Sequence, residues 1–117
     1  MRLSHPEAPQ RIAATLKASL KETSFRVPVT GPRDASAPRE TAPAYQLELE
    51  SEEHGAPLVV LLWPSLDRVD VRLGKSSWTL KGVDSVELYA DVEVLFRREE
   101  PPALLFVSLR GRVALIA

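Results

Sequence analysis

The apolar positions of this chain recur with two different periods, and the change from one to the other divides it. Between Pro9 and Thr23, Ile12, Leu16 and Leu20 return every fourth residue with Ala13 beside them, while Lys17, Lys21 and Glu22 fall on the other side. That spacing makes a single apolar stripe along a helix, which is predicted over 9–23. Pro9 suits the first helical position, where a missing N–H leaves no bond unmade. Ser4-His5-Pro6-Glu7 resembles a capping box, but a helix starting there would enclose Pro9. The stripe is narrow and rich in alanine, so this helix covers something rather than forming a core by itself.

From Phe25 the period becomes two. Phe25, Val27 and Val29 alternate with Arg26, Pro28 and Thr30, which predicts a half-buried strand, at an edge because Pro28 has no N–H for a ladder. Periodicity then vanishes over 31–44, a flexible Pro-rich loop containing Pro32, Pro38 and Pro43. Strands follow to the end. Tyr45, Leu47 and Leu49 alternate with polar residues, and Leu58 to Trp63 is apolar at every position, as in a strand buried on both faces. Val69, Val71 and Leu73 alternate up to a turn at Gly74-Lys75, and Trp78 and Leu80 make a short strand. Val86, Leu88, Ala90, Val92, Val94 and Phe96 give the longest strict alternation, read as one strand. A turn at Arg97–Pro102 leads into Leu104–Leu109 and Val113–Ile116.

Strands joined by short turns pair antiparallel, and no helix separates the later ones. The expected fold is therefore α+β in one domain, 1–117: an N-terminal helix packed on a curved, mostly antiparallel β-meander over 45–117. About six to eight strands are expected, as a half-barrel or small sandwich. Val71, Trp78, Leu88, Val92 and Val107 are the expected core.

One apolar feature does not fit that core. With Val86 through Phe96 facing inward, Tyr89 and Leu95 face the other way, and the next strand offers Leu104 and Phe106 on a face of their own. The turn at 97–102 brings Leu95 near Leu104, so one end of the sheet is apolar on both sides. Soluble chains rarely leave such a patch bare. Leu95, Leu104 and Phe106 are the candidate interface, covered either by the helix or by a second subunit.

Composition narrows the function classes. The chain has 117 residues, 44% of them apolar, no cysteine and a net charge of −1. That is enough for a core without disulfides, and it removes thiol nucleophiles and thiolate metal sites. Asparagine is absent, methionine occurs once, and eleven arginines stand against four lysines. A thermophile or a GC-rich bacterial genome would each give that usage. Neither a secretory leader nor a membrane span is visible, so a cytoplasmic location is expected.

Chemistry-bearing residues are scattered. His54 follows Glu52 and Glu53, but a charged, solvated turn accounts for them without a metal. Ser76-Ser77 lies in a turn, and the five glycines have no phosphate-binding spacing. Glu87, Asp91 and Glu93 share a face as the wet side of a sheet. No catalytic residue, metal ligand or cofactor site is assigned, and no enzyme activity is expected. Arg68, Arg72, Arg97, Arg98, Arg110 and Arg112 are candidate nucleic-acid contacts if the strands stack them into a stripe. Asp70, Glu99 and Glu100 are interleaved with them and the net charge is not basic, so nucleic acid ranks second as a partner. The first expectation is a non-enzymatic interaction module that forms a homo-oligomer or binds another protein, away from any membrane. A small-molecule cup or an enzyme without recognisable motif is the third.

Overall fold

The computed structural model describes residues 1–26, 41–50, 55–89, 93–109 and 111–117. Among the described residues one helix, α1 (Ala8–Leu16), precedes nine strands. The first sheet holds β1 (Ser19–Arg26), β2 (Thr41–Glu50), β3 (Pro57–Trp63), β4 (Arg68–Leu73) and β5 (Ser76–Leu80) in that order. The second holds β6 (Ser85–Tyr89), β7 (Glu93–Arg98), β8 (Ala103–Ser108) and β9 (Val113–Ile116), again in chain order. Every pairing is antiparallel. The fold is α+β as expected, but the meander breaks after β5 into two sheets and does not close into a barrel.

The inward residues of both sheets form one core. Leu47, Leu58, Val60, Leu62, Val69 and Val71 of the first sheet belong to the same apolar cluster as Val86, Val94, Phe96, Leu105 and Val107 of the second. α1 packs against β1 and β2 on one side and β6 and β7 on the other, placing Ile12 and Leu16 in that cluster. The helix thus closes the side of the molecule where β1 and β6 lie. Of the expected core, Val71 and Val107 are fully buried, Trp78 and Leu88 are only partly buried against it, and Val92 lies outside the described residues.

Three expectations change. The helix ends at Leu16 rather than at residue 23. Lys17 takes a left-handed conformation (φ 51°) and donates its N–H to the Ala14 carbonyl, and Ala18 donates to Ala13. This is a Schellman-type stop built on a lysine where glycine is usual. Leu20, the third residue of the supposed stripe, lies in β1 opposite Leu47 and is 36% exposed. Phe25 is also in β1, while Val27, Pro28 and Val29 lie outside the described residues. The predicted 31–44 loop ends sooner than expected, because β2 begins at Thr41; residues 31–40 lie outside the described residues.

The long alternation from Val86 to Phe96 is not one strand but a hairpin of β6 and β7, with Val86 opposite Phe96 and Leu88 opposite Val94. Ala90, Asp91 and Val92 lie outside the described residues. Because the pairing is centred on a residue rather than between two, each even residue meets an even one. The alternation therefore runs unbroken through the reversal. The next hairpin also differs in register: Leu95 pairs with Phe106, and Leu104 with Arg97.

Candidate interaction surface

The outward face of the second sheet is built by side chains that alternate with the core set. Three cross-strand rows describe it. Glu87, Leu95, Phe106 and Ala114 form one; Ser85, Arg97, Leu104 and Ile116 form the second. Tyr89, Glu93 and Ser108 form the third, with Arg112 at its end, where the Ser108 N–H donates to the Arg112 carbonyl at 3.0 Å. Polarity falls from β6 to β9 in the first two rows, while the third stays polar to its end at Ser108 and Arg112. On β6 the Tyr89 hydroxyl donates to Glu87 (2.8 Å), and Arg97 of β7 pairs with Glu87 at 3.2 Å. The Tyr89 bond and the Arg97 charge outweigh desolvation and hold the Glu87 carboxyl below its usual range; the same bond raises the Tyr89 hydroxyl. Toward β9 the first two rows are apolar.

Leu95 is already buried, at 3% exposed, between Glu87 and Phe106 of its row. Leu104 and Phe106 are half-buried, and Ile116 is 55% exposed. α1 does not cover this face, because Ile12 and Leu16 pack with Phe96 and Leu105 on the opposite side of the same sheet. Beside β9 lies an open groove of about 1240 Å³. It is lined by Trp78 of β5, by Phe106, Val113 and Ile116, and by the charged Glu93 and Arg112. This groove opens between the edges of β5 and β9, across the molecule from the side that α1 closes. Ile116 and the β9 edge had no signal in the sequence: the strand predicted at Val113–Ile116 carries nothing that marks it as the last of its sheet.

A polar cluster sits on the outward face of the first sheet. Asp70, 9% exposed, accepts hydrogen bonds from Trp63 Nε1 (2.9 Å), Thr79 Oγ1 (2.6 Å), Arg68 Nε (3.0 Å) and Arg68 Nη2 (3.1 Å). Register explains the grouping, since Thr79 lies directly opposite Asp70, and Arg68 opposite Trp63. Burial pushes the Asp70 carboxyl up, but the bonds from Arg68, Thr79 and Trp63 and the Arg68 charge hold it below its ordinary value. A carboxylate so fully engaged has little basicity or ligating capacity left, so the cluster is a clamp joining β3, β4 and β5.

The candidate arginines do not come together. Arg68 and Arg72 lie on the outward face of the first sheet, and Arg97 lies on the outward face of the second. Arg98 is tied to the Pro101 and Lys81 carbonyls. Arg112 lies in the turn before β9, and Arg110 is outside the described residues. His5 accepts a hydrogen bond from the Glu7 N–H, and His54 with Glu52 and Glu53 lies outside the described residues. Among the described residues no group of three His, Cys, Asp or Glu could hold a metal, and no helix is long and apolar enough to cross a membrane. No protein-family model, curated protein or solved structure matches the chain.

Proposed function

We propose that the protein is a non-enzymatic interaction module that self-associates through the apolar end of its second sheet. The observation that supports this reading is the polarity gradient of two rows of the outward face, which end on Leu104, Phe106 and Ile116 with no helix of the described residues over them. Burying such side chains yields about 1.5–3 kcal/mol each when burial is complete. Half-buried residues gain a fraction of that, enough for association but not for an obligate dimer.

Nucleic-acid binding has less support, because the arginines occupy opposite faces of the molecule and several are already engaged by carboxylates or carbonyls. Multi-angle light scattering of the wild type and of Phe106→Asp tests the proposal. Phe106 is half-buried and outside the main core cluster, so the variant is expected to stay folded by circular dichroism and to lose the dimer. A folded Phe106→Asp protein with the same dimeric mass as the wild type would refute it.

A further inference from the structure

Among the described residues the two antiparallel sheets leave four edges, and three of them carry charges, flanking lysines or a cap. β1 carries Lys21 and Glu22; β5 is polar and flanked by Lys75 and Lys81. The β6 edge is capped by Met1, whose amino group donates to the Val86 carbonyl (3.0 Å) while its own carbonyl accepts from the Val86 N–H (2.6 Å). β9 is short and preceded by Arg112, but it has no charge within the strand and, among the described residues, no cap. It reads Val113-Ala114-Leu115-Ile116 without a charge, and among the described residues no strand pairs with its far side. Charges, caps and short lengths are the usual protections of sheet edges, so an uncharged open edge is a template for another strand.

We infer that two copies of the chain join edge to edge through β9, antiparallel about a two-fold axis at Leu115, so that the two four-stranded sheets become one; this rests on the self-association proposed above. The hydrogen-bond phase of β9 limits the choice of register. The Ser108 N–H bonds the Arg112 carbonyl, in the same register that pairs Phe106 with Ala114 and Leu104 with Ile116. Residues 112, 114 and 116 therefore turn their backbone groups toward β8, and Val113 and Leu115 turn theirs to the open edge. Keeping like faces together across a two-fold requires the axis to pass through a residue rather than between two. An axis at Leu115 bonds Leu115 to its copy and sets Ala114 opposite Ile116 of the second copy, twice over.

That register continues the apolar face. Ile116, flanked in its own chain by Leu104, gains Ala114 of the second copy on its other side, a large side chain beside a small one. An axis at Ala114 would instead place Ile116 opposite Arg112. A symmetric pairing also brings each edge charge toward its own copy, which repels; β9 has no charge within its strand, and an axis at Leu115 sets Arg112 opposite no residue of β9.

Size fixes the affinity class. A four-residue strand is about 13 Å long, so its seam supplies only part of the roughly 800 Å² per subunit of a standard stable interface. A second folded copy adds the groove wall at Val113 and Trp78, which an added peptide strand would cover less completely. The dimer is expected to dissociate at about micromolar concentration.

The chain has no cysteine, so single thiols report the register directly. Ala114 and Ile116 are exposed in one chain, and opposite each other in a non-hydrogen-bonded pair their Cα atoms would be about 4.5 Å apart, within disulfide range. An equimolar mixture of Ala114→Cys and Ile116→Cys, oxidised with copper phenanthroline, is expected to give a disulfide-linked heterodimer, with little product from either variant alone. Leu115→Pro, which removes an outward-facing N–H, is expected to fold and run as a monomer. If the wild type dimerises but the mixture gives no excess cross-linking, or Leu115→Pro remains dimeric, the β9 pairing is wrong while self-association stands. Efficient cross-linking of Ala114→Cys alone would move the axis to Ala114 and overturn the register. A wild type that is monomeric at several hundred micromolar overturns both proposals.

Discussion

Replacing Asp70 by alanine would remove one carboxylate and leave three donors behind. Arg68, with a side chain 15% exposed, would lose both bonds of its fork, and Trp63 and Thr79 would lose their acceptor. Breaking a buried ion pair by removing one partner costs about 3–5 kcal/mol, most of it from the stranded charge. Arg68 retains some solvent access, so about 2–4 kcal/mol is expected here. Asp70→Asn keeps an acceptor of the same shape and loses the charge, and is expected to cost about half as much. Urea titration followed by the fluorescence of the two tryptophans at pH 7 measures both. An Asp70→Ala loss below about 1 kcal/mol would refute the clamp. The pH dependence gives a second check. Because the folded carboxyl titrates below its unfolded value, its contribution is complete above about pH 4 and is lost as pH falls through the folded value. The stability gap between wild type and Asp70→Asn should therefore be level near neutrality and shrink in acid. A gap that widens below pH 4 would contradict the sign.

Other outcomes follow from single positions. Lys17→Gly should stabilise the protein by about 1 kcal/mol in thermal melts, because the left-handed stop of α1 strains any residue with a Cβ; a lower Tm would mean that the lysine side chain matters there. Phe96→Ala should cost about 3–5 kcal/mol, since Phe96 is wholly inside the core. Leu88→Ala, at a partly buried site, should cost about 1–2 kcal/mol, and the reverse ranking in urea titrations would mean that the hairpin register is misplaced.

The sequence made much of the sheet architecture readable, and the failures have physical causes. Alternation located β4 and β5, apolar runs located β8 and β9, and the turn at Gly74 was read correctly, its positive φ (57°) serving a two-residue hairpin between Leu73 and Ser76. The apolar run at Leu58–Trp63 was rightly read as buried on both faces, and Leu61 and Trp63 are inaccessible on the outer one. The helix was overextended because its stop uses Lys17, so no glycine announced it. Only the end of β1, at Phe25, was seen; its first part was missed because Ser19, Lys21 and Thr23 give it little apolar rhythm, and pairing with β2 decides its conformation. The hairpin of β6 and β7 was hidden by parity, which no alternation count can detect.

Of the candidate surface, Leu104 and Phe106 were legible because their period set them against the core. Ile116 and the open edge were not, since strand order decides which strand is last and the sequence does not contain that order explicitly. The Asp70 clamp was equally hidden. Trp63, Arg68, Asp70 and Thr79 converge only once β3, β4 and β5 are in register, and in the sequence Asp70 looked like one more acid balancing its neighbouring arginines.

Self-association is the central functional claim, and sedimentation velocity of the unmodified protein across a concentration series tests it most directly. The mass is expected to rise from 12.9 kDa toward twice that value as concentration passes through the micromolar range. A single species of 12.9 kDa up to several hundred micromolar would contradict it.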